Sequence, residues 1–159
     1  MQRDLDEISG EVVDAALKIH RALGPGLLES VYEAVLAREL VRRGLRVERQ
    51  VVVAFEFDGL HFDEGFRVDL LVEGVLVVEL KSVEQLARVH WKQVLTYLRL
   101  LRLSLGLLIN FGGATLKGNS HRVVNGYAPS RPEASRLRVN RPDAVSPGGP
   151  ASERPLHDS

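Results

Sequence analysis

Lys81 is one of only four lysines in the chain, and it closes the triplet Glu79-Leu80-Lys81 on the apolar run Val75-Leu76-Val77-Val78. On a strand, residues two apart project from the same face. A buried strand normally excludes an acid and a base, because an unpaired charge there costs several kcal/mol. Asp69 stands ten residues earlier, in a second apolar run, Phe66-Arg67-Val68-Asp69-Leu70-Leu71-Val72. Two carboxylates and an amine brought together by a hairpin have the chemistry of a hydrolytic Mg²⁺ site. Mg²⁺ is a hard cation that takes oxygen ligands and keeps several waters. Asp69, Glu79 and the carbonyl of Leu80 would be its ligands, and Lys81 would orient or deprotonate a water or stabilise a phosphorane. The competing reading of the same residues is a buried Glu79/Lys81 ion pair.

Hairpin arithmetic sets a condition on that site. Directly opposed antiparallel residues have numbers with a constant sum. A two-residue turn at Glu73-Gly74 gives an odd sum and sends Asp69 and Glu79 to opposite faces. A three-residue connection or a bulge restores a shared face.

The elements that must position these groups follow from periodicity. Ile8, Val12, Ala15, Ala16, Ile19 and Leu23 mark a helix over 7–23, broken by Gly24-Pro25-Gly26. A second helix spans about 27–43 and stops at Gly44. Residues 46–57 and 60–72 are strand-like and joined by the hairpin signal Asp58-Gly59. A third strand covers 75–81, a third helix about 84–102 and a fourth strand 105–111; His121-Arg122-Val123-Val124 adds a short fifth. The order α-α-β-β-β-α-β predicts an α/β protein with a mixed central sheet and helices packed on it.

On a helical wheel Glu29 falls within the apolar arc of Leu28, Val31, Tyr32 and Val35, which points to a carboxylate aimed at the sheet; an acid favoured by the helix dipole is the alternative. Tyr32 reads as core, its hydroxyl needing a partner that Glu29 could supply. His20 reads as structural. Gln93 lies at a wheel edge, where it either faces the site or merely flanks it.

Composition narrows the classes. A chain of 159 residues with 45% hydrophobic residues fits one globular domain, assigned to 7–127. From Ala128 the chain becomes rich in Pro, Arg, Gly and Ser, and 128–159 is expected to be a disordered tail. No apolar run reaches the roughly 18 residues of a membrane span. The acidic N-terminus does not read as a secretory signal, so the cytoplasm is the expected location. Absent cysteines exclude thiolate metal sites, and the five histidines lack metal-ligand spacing. Zero net charge argues against strong non-specific nucleic-acid binding. Arg38, Arg42, Arg43, Arg46 and Arg49 form either a local basic patch or a solvated helix end.

Gly26-Leu27-Leu28-Glu29-Ser30-Val31-Tyr32 has the pattern GxxExxY. With Leu23-Gly24-Pro25-Gly26, Arg67 to Glu73, Val78-Glu79-Leu80-Lys81, Gln93 with Tyr97, and Leu107 to Phe111, it makes the stretch 20–125 resemble the GxxExxY proteins, grouped with the PD-(D/E)xK nuclease-like superfamily. The resemblance implies a restriction-endonuclease-like α-β-β-β-α-β core, with residues 7–23 as an added N-terminal helix. Asp69, Glu79 and Lys81 would take the catalytic positions. Glu29 would be the extra acid, in an outer shell or on a second ion, and Gln93 the polar residue of the following helix. Val68 stands where the motif's proline would be. The implied activity is Mg²⁺- or Mn²⁺-dependent hydrolysis of DNA or RNA, and analogy adds a homodimer as one arrangement. The alternative is a non-catalytic nucleic-acid-binding or assembly module that keeps the nuclease fold.

Overall fold

Helix α1 (Leu5–Leu23) opens on a capping box in which Asp4 and Glu7 each accept the other's backbone N–H. The computed structural model describes residues 3–126 and the strand Leu137–Asn140. After α2 (Glu29–Arg42) come β1 (Val47–Phe57), β2 (Leu60–Val72), β3 (Leu76–Lys81), α3 (Arg88–Leu101), β4 (Leu105–Asn110), β5 (Ser120–Val124) and β6 (Leu137–Asn140). The expected α/β order is present, with α3 starting four residues later than its periodicity suggests. Ser82 to Ala87 instead form a connection pinned by the end of β4.

One mixed sheet runs β5-β4-β3-β2-β1-β6. The pair β3/β4 is parallel, joined by the α3 crossover, and every other pair is antiparallel. Helices α1 and α2 bury Val12, Ala16, Tyr32, Leu36 and Leu40 against Leu70, Val78, Leu80 and Ile109. Helix α3 covers the other face, burying Val94, Tyr97 and Leu98 against Leu71, Val77 and Leu108. Strands β3 and β4 are thus covered on both faces, which explains their unbroken apolar runs.

Turn chemistry sets the registers. Asp58 and Gly59 both have positive φ (50° and 82°) and form a two-residue hairpin that opposes Phe57 to Leu60. The β2–β3 connection is the three-residue one, Glu73-Gly74-Val75, with Glu73 and Gly74 at φ 52° and 67°. Val72 pairs with Leu76, Leu71 with Val77 and Leu70 with Val78, so the sum is 148 and even. At the end of α2, Gly44 (φ 81°) donates to Val41 and Leu45 to Leu40, closing the helix in a Schellman motif.

Strand β6 lies within the segment read from composition as a tail. Its backbone pairs with β1, Leu137 opposite Phe57 and Asn140 opposite Ala54. The rest of 128–159 lies outside the described residues.

The buried Asn110 fastens the connection after β3 to the end of β4. Its side chain accepts from Val83 N–H (3.1 Å) and Gly112 N–H (3.0 Å) and donates to the Val83 carbonyl (2.9 Å). Gly112 packs so closely that an added Cβ would lie 2.1 Å from the Val83 oxygen. Gly112→Ala should therefore cost at least about 1–3 kcal/mol, the range for overpacking. Urea denaturation checks this; wild-type stability in the variant would refute the close approach.

Candidate functional site

The ladder between β2 and β3 stops at Leu70/Val78, one pair short of the two acids. Asp69 and Glu79 continue the same sum, so they stand opposite each other where regular pairing ends. Here side chains take over from the ladder. The Glu79 carboxylate accepts the Asp69 N–H (3.1 Å), and the Asp69 carboxylate accepts the Leu80 N–H (2.9 Å). In a strand the N–H and C=O of one residue point the same way. The Leu80 carbonyl therefore faces the same gap as its N–H.

Burial makes this pair electrostatically costly. Glu79 is pushed up to about 8, first by burial and then by the facing Asp69 carboxylate. Asp69 is also raised, chiefly by burial and further by Glu33, against the pull of the Leu80 N–H. Lys81 lowers both values but forms no side-chain hydrogen bond or ion pair among the described residues. The buried Glu79/Lys81 ion pair is thus not formed, and the half-buried Lys81 ammonium acts on the acids only at a distance.

Glu29 is placed differently from the wheel argument. It is exposed although Glu33 and Leu36 on the same helix face are buried, because it is the first residue of α2; Leu28, Val31 and Val35 are exposed as well. Its carboxylate accepts the Ser82 N–H (3.3 Å), one residue beyond Lys81, while Ser82 Oγ donates to the Leu27 carbonyl (2.7 Å). Glu29 thus sits on the rim of a groove that Asp69 lines together with Leu27, Ser30, Glu33, Gln50 and Ser82. Tyr32 does not bond Glu29. Its hydroxyl donates to the Gly24 carbonyl and accepts from Leu27 N–H (3.2 Å), while its ring stacks on Phe111 at 4.4 Å. The tyrosine of this pattern therefore holds the loop that leads into the glutamate.

Gln93 is half-buried on α3 and donates to the Tyr97 hydroxyl (2.8 Å). Tyr97 belongs to the cluster with Leu71 and Val77, the β3 face that Glu79 shares, and burial, then Glu79, raises its hydroxyl. His20 is buried and bonds the Gly113 carbonyl (2.9 Å), a structural role.

Two residues of the groove were not singled out from sequence. Glu33 is buried at 5% exposure; one oxygen accepts from Arg49 Nε (3.1 Å) and the other from Gln50 Nε2 (2.6 Å). Gln50 Nε2 also lies 3.3 Å from an Asp69 oxygen. A glutamate four residues after Glu29 lies on the same helix face, and that spacing was the available signal. The basic-patch reading meets the same network: Arg43 pairs with Glu11, Asp14 and Glu39, Arg46 with Glu73, and Arg49 with Glu33.

The donor set suits a hard divalent cation. Asp69, Glu79 and the Leu80 carbonyl offer only oxygen, and the half-buried Asp69 and buried Glu79 form no ion pair with a cation among the described residues. Glu29 is not gathered with them, being held by Ser82; among the described residues no three acidic or histidine side chains converge as a metal cluster.

Without an ion, Glu79 makes stability fall as pH rises. The folded chain keeps Glu79 protonated between its ordinary 4.5 and about 8, where the unfolded chain has already ionised it. Thermal melting in chelator should show a falling Tm across that window, and Glu79→Gln should flatten the slope. A Glu79→Gln variant less stable than wild type at the upper end would contradict this.

No curated protein and no solved structure matches the chain. A family model described as PD-(D/E)XK nuclease superfamily matches residues 6–123, from the second residue of α1 through β5. That span contains the opened β2–β3 ladder and every residue of the groove, and the chain belongs to the PD-(D/E)XK nuclease superfamily.

Proposed function

We propose that this protein is a Mg²⁺- or Mn²⁺-dependent nuclease that hydrolyses phosphodiester bonds of nucleic acid at Asp69, Glu79 and Lys81. The observation that carries the reading is the meeting of Asp69 and Glu79 where the ladder opens, with Lys81 on the same strand face as Glu79. The pattern Gly26-Leu27-Leu28-Glu29-Ser30-Val31-Tyr32 supports placing the chain among the GxxExxY proteins, and the clamp made by Tyr32 gives that pattern a physical purpose.

Asp69, Glu79 and the Leu80 carbonyl would hold the ion. A bound divalent ion supplies charge neutralisation at a phosphate oxygen and a more acidic water. The carboxylates fix its position, and their hydrogen bonds to backbone N–H groups limit their rotation. Lys81 Nζ, uncommitted to any partner among the described residues, stabilises as an ammonium the negative charge that grows on the phosphate, or as the neutral amine takes up the proton of an attacking water. Glu29, on the rim and anchored to Ser82, orients water or substrate at the groove edge. Gln93 acts through the Tyr97 hydroxyl on the Glu79 side.

A second reading, a binding or assembly module that keeps the fold, is favoured by the zero net charge and by the arginines already engaged with acids.

A cleavage panel of single-stranded DNA, double-stranded DNA and RNA with Mg²⁺ or Mn²⁺ separates the two. Lys81→Ala should keep its circular dichroism and its Mn²⁺ binding by calorimetry while losing about 10²–10³-fold in rate. Asp69→Ala should lose Mn²⁺ binding as well. Equal cleavage by wild type and both variants would assign the activity elsewhere, and no cleavage of any substrate by wild type would favour the binding module.

A further inference from the structure

Arg49 and Gln50 are neighbours in β1, and consecutive side chains of a regular strand point to opposite faces. Both nevertheless reach the one carboxylate of Glu33, one on each oxygen. They can do so because Gln50 has a positive φ of 49°, unusual for a residue with a side chain. The ladder with β2 resumes beyond it in unchanged register, Arg49 opposite Leu70 and Val51 opposite Val68, so the distortion is local to Gln50 and the facing Asp69. A backbone conformation that costs of order 1–3 kcal/mol persists only where its surroundings enforce it.

What the distortion achieves is specific. The Gln50 amide nitrogen lies between two acceptors, 2.6 Å from Glu33 and 3.3 Å from Asp69. Carboxylates only accept, so the NH₂ must face both of them, and the orientation of the amide is settled by chemistry. Glu33 is itself held by Arg49 and by burial. Asp69 is thus gripped at both oxygens, one by the Leu80 N–H and one by the Gln50 amide.

We infer that Gln50, aimed by Glu33, is a positioning residue that fixes the rotation of the Asp69 carboxylate for cation binding. This rests on the metal-site reading above. It differs from a purely structural role because Gln50 is exposed: removing its side chain leaves no core cavity, and glycine adopts the positive φ without strain.

Gln50→Gly separates backbone from side chain. It should keep its circular dichroism, with a melting temperature lowered only by the loss of the Glu33 hydrogen bond, yet bind Mn²⁺ roughly 10–100-fold more weakly by calorimetry, the usual loss for a partner that orients a ligand. Wild-type Mn²⁺ affinity in this variant would overturn the inference. A metal-free readout keeps it separate from the nuclease reading. In ¹⁵N spectra the Gln50 NH₂ pair, assigned by its absence in Gln50→Gly, should shift in both Glu33→Gln and Asp69→Asn. A pair unmoved by either change would refute the bridge. Shifts in both, with no Mn²⁺ binding by wild type, would uphold the bridge as a link between the two acids and sink the metal site and its positioning role.

Discussion

Two acids face each other where a β-ladder gives out, and each accepts the backbone N–H on the other strand that the ladder no longer uses. The exchange needs Asp69 and Glu79 to share a face, hence an even register. That register is imposed at the far end of the hairpin by Glu73-Gly74-Val75, whose first two residues take positive φ. A one-residue slip there would turn both acids away from each other while leaving every element in place. Chemistry at positions 69 and 79 is therefore conditional on turn geometry at 73 and 74.

The surrounding frame makes the opened ladder rigid. Tyr32 ties the loop before α2 to its own helix and stacks on Phe111, whose N–H donates to the Lys81 carbonyl (2.8 Å). Asn110 binds both polar backbone groups of Val83, and Ser82 is bonded to Leu27 and Glu29. The end of β3, where the charged residues cluster, is thus anchored from α2, β4 and the loop before α2. Such anchoring holds the half-buried Asp69 and the buried Glu79 near each other even though the facing acid raises Glu79. The metal-free fold accordingly carries destabilised acids, the usual compromise between stability and a working site.

Much of this arrangement was legible because the sequence writes it locally. Asp58-Gly59 announces its hairpin, Gly44 its helix end, and the triplet Glu79-Leu80-Lys81 its violation of an apolar strand. The even register was legible only as a condition, since Glu73-Gly74 also fits the commoner two-residue turn. Glu33 and Gln50 stayed hidden because strand alternation sends Arg49 and Gln50 apart, and only the positive φ at Gln50 reunites them. The helical wheel misplaced Glu29 because it gives direction about the axis and not position along it: Leu36, Leu40 and Glu33 on its face are buried, whereas Glu29 is the first residue of α2 and lies exposed. Strand β6 was masked by proline-rich surroundings, although Leu137-Arg138-Val139-Asn140 alternates apolar and polar residues.

The charge distribution constrains how such a site could meet a phosphate backbone. Around the opened ladder stand Asp69, Glu79, Glu33 and Glu29, against Lys81 and the Arg49 already paired to Glu33. Arg43 and Arg46 are likewise engaged with acids, so they offer less to a polyanion than their number suggests. A metal-free groove of this composition repels phosphate, and zero net charge supplies no long-range attraction to offset it. On the proposed reading, a divalent ion held by Asp69 and Glu79 would reverse the local sign and displace the proton that burial favours on Glu79. Ion binding and substrate binding would then be linked: the ion that the proposed chemistry requires would also create the attraction. Proteins that bind nucleic acid through many lysine and arginine contacts lose affinity steeply as salt rises. A site that depends on one bound ion and Lys81 has few such contacts, so its affinity should depend more on divalent-ion concentration than on monovalent salt.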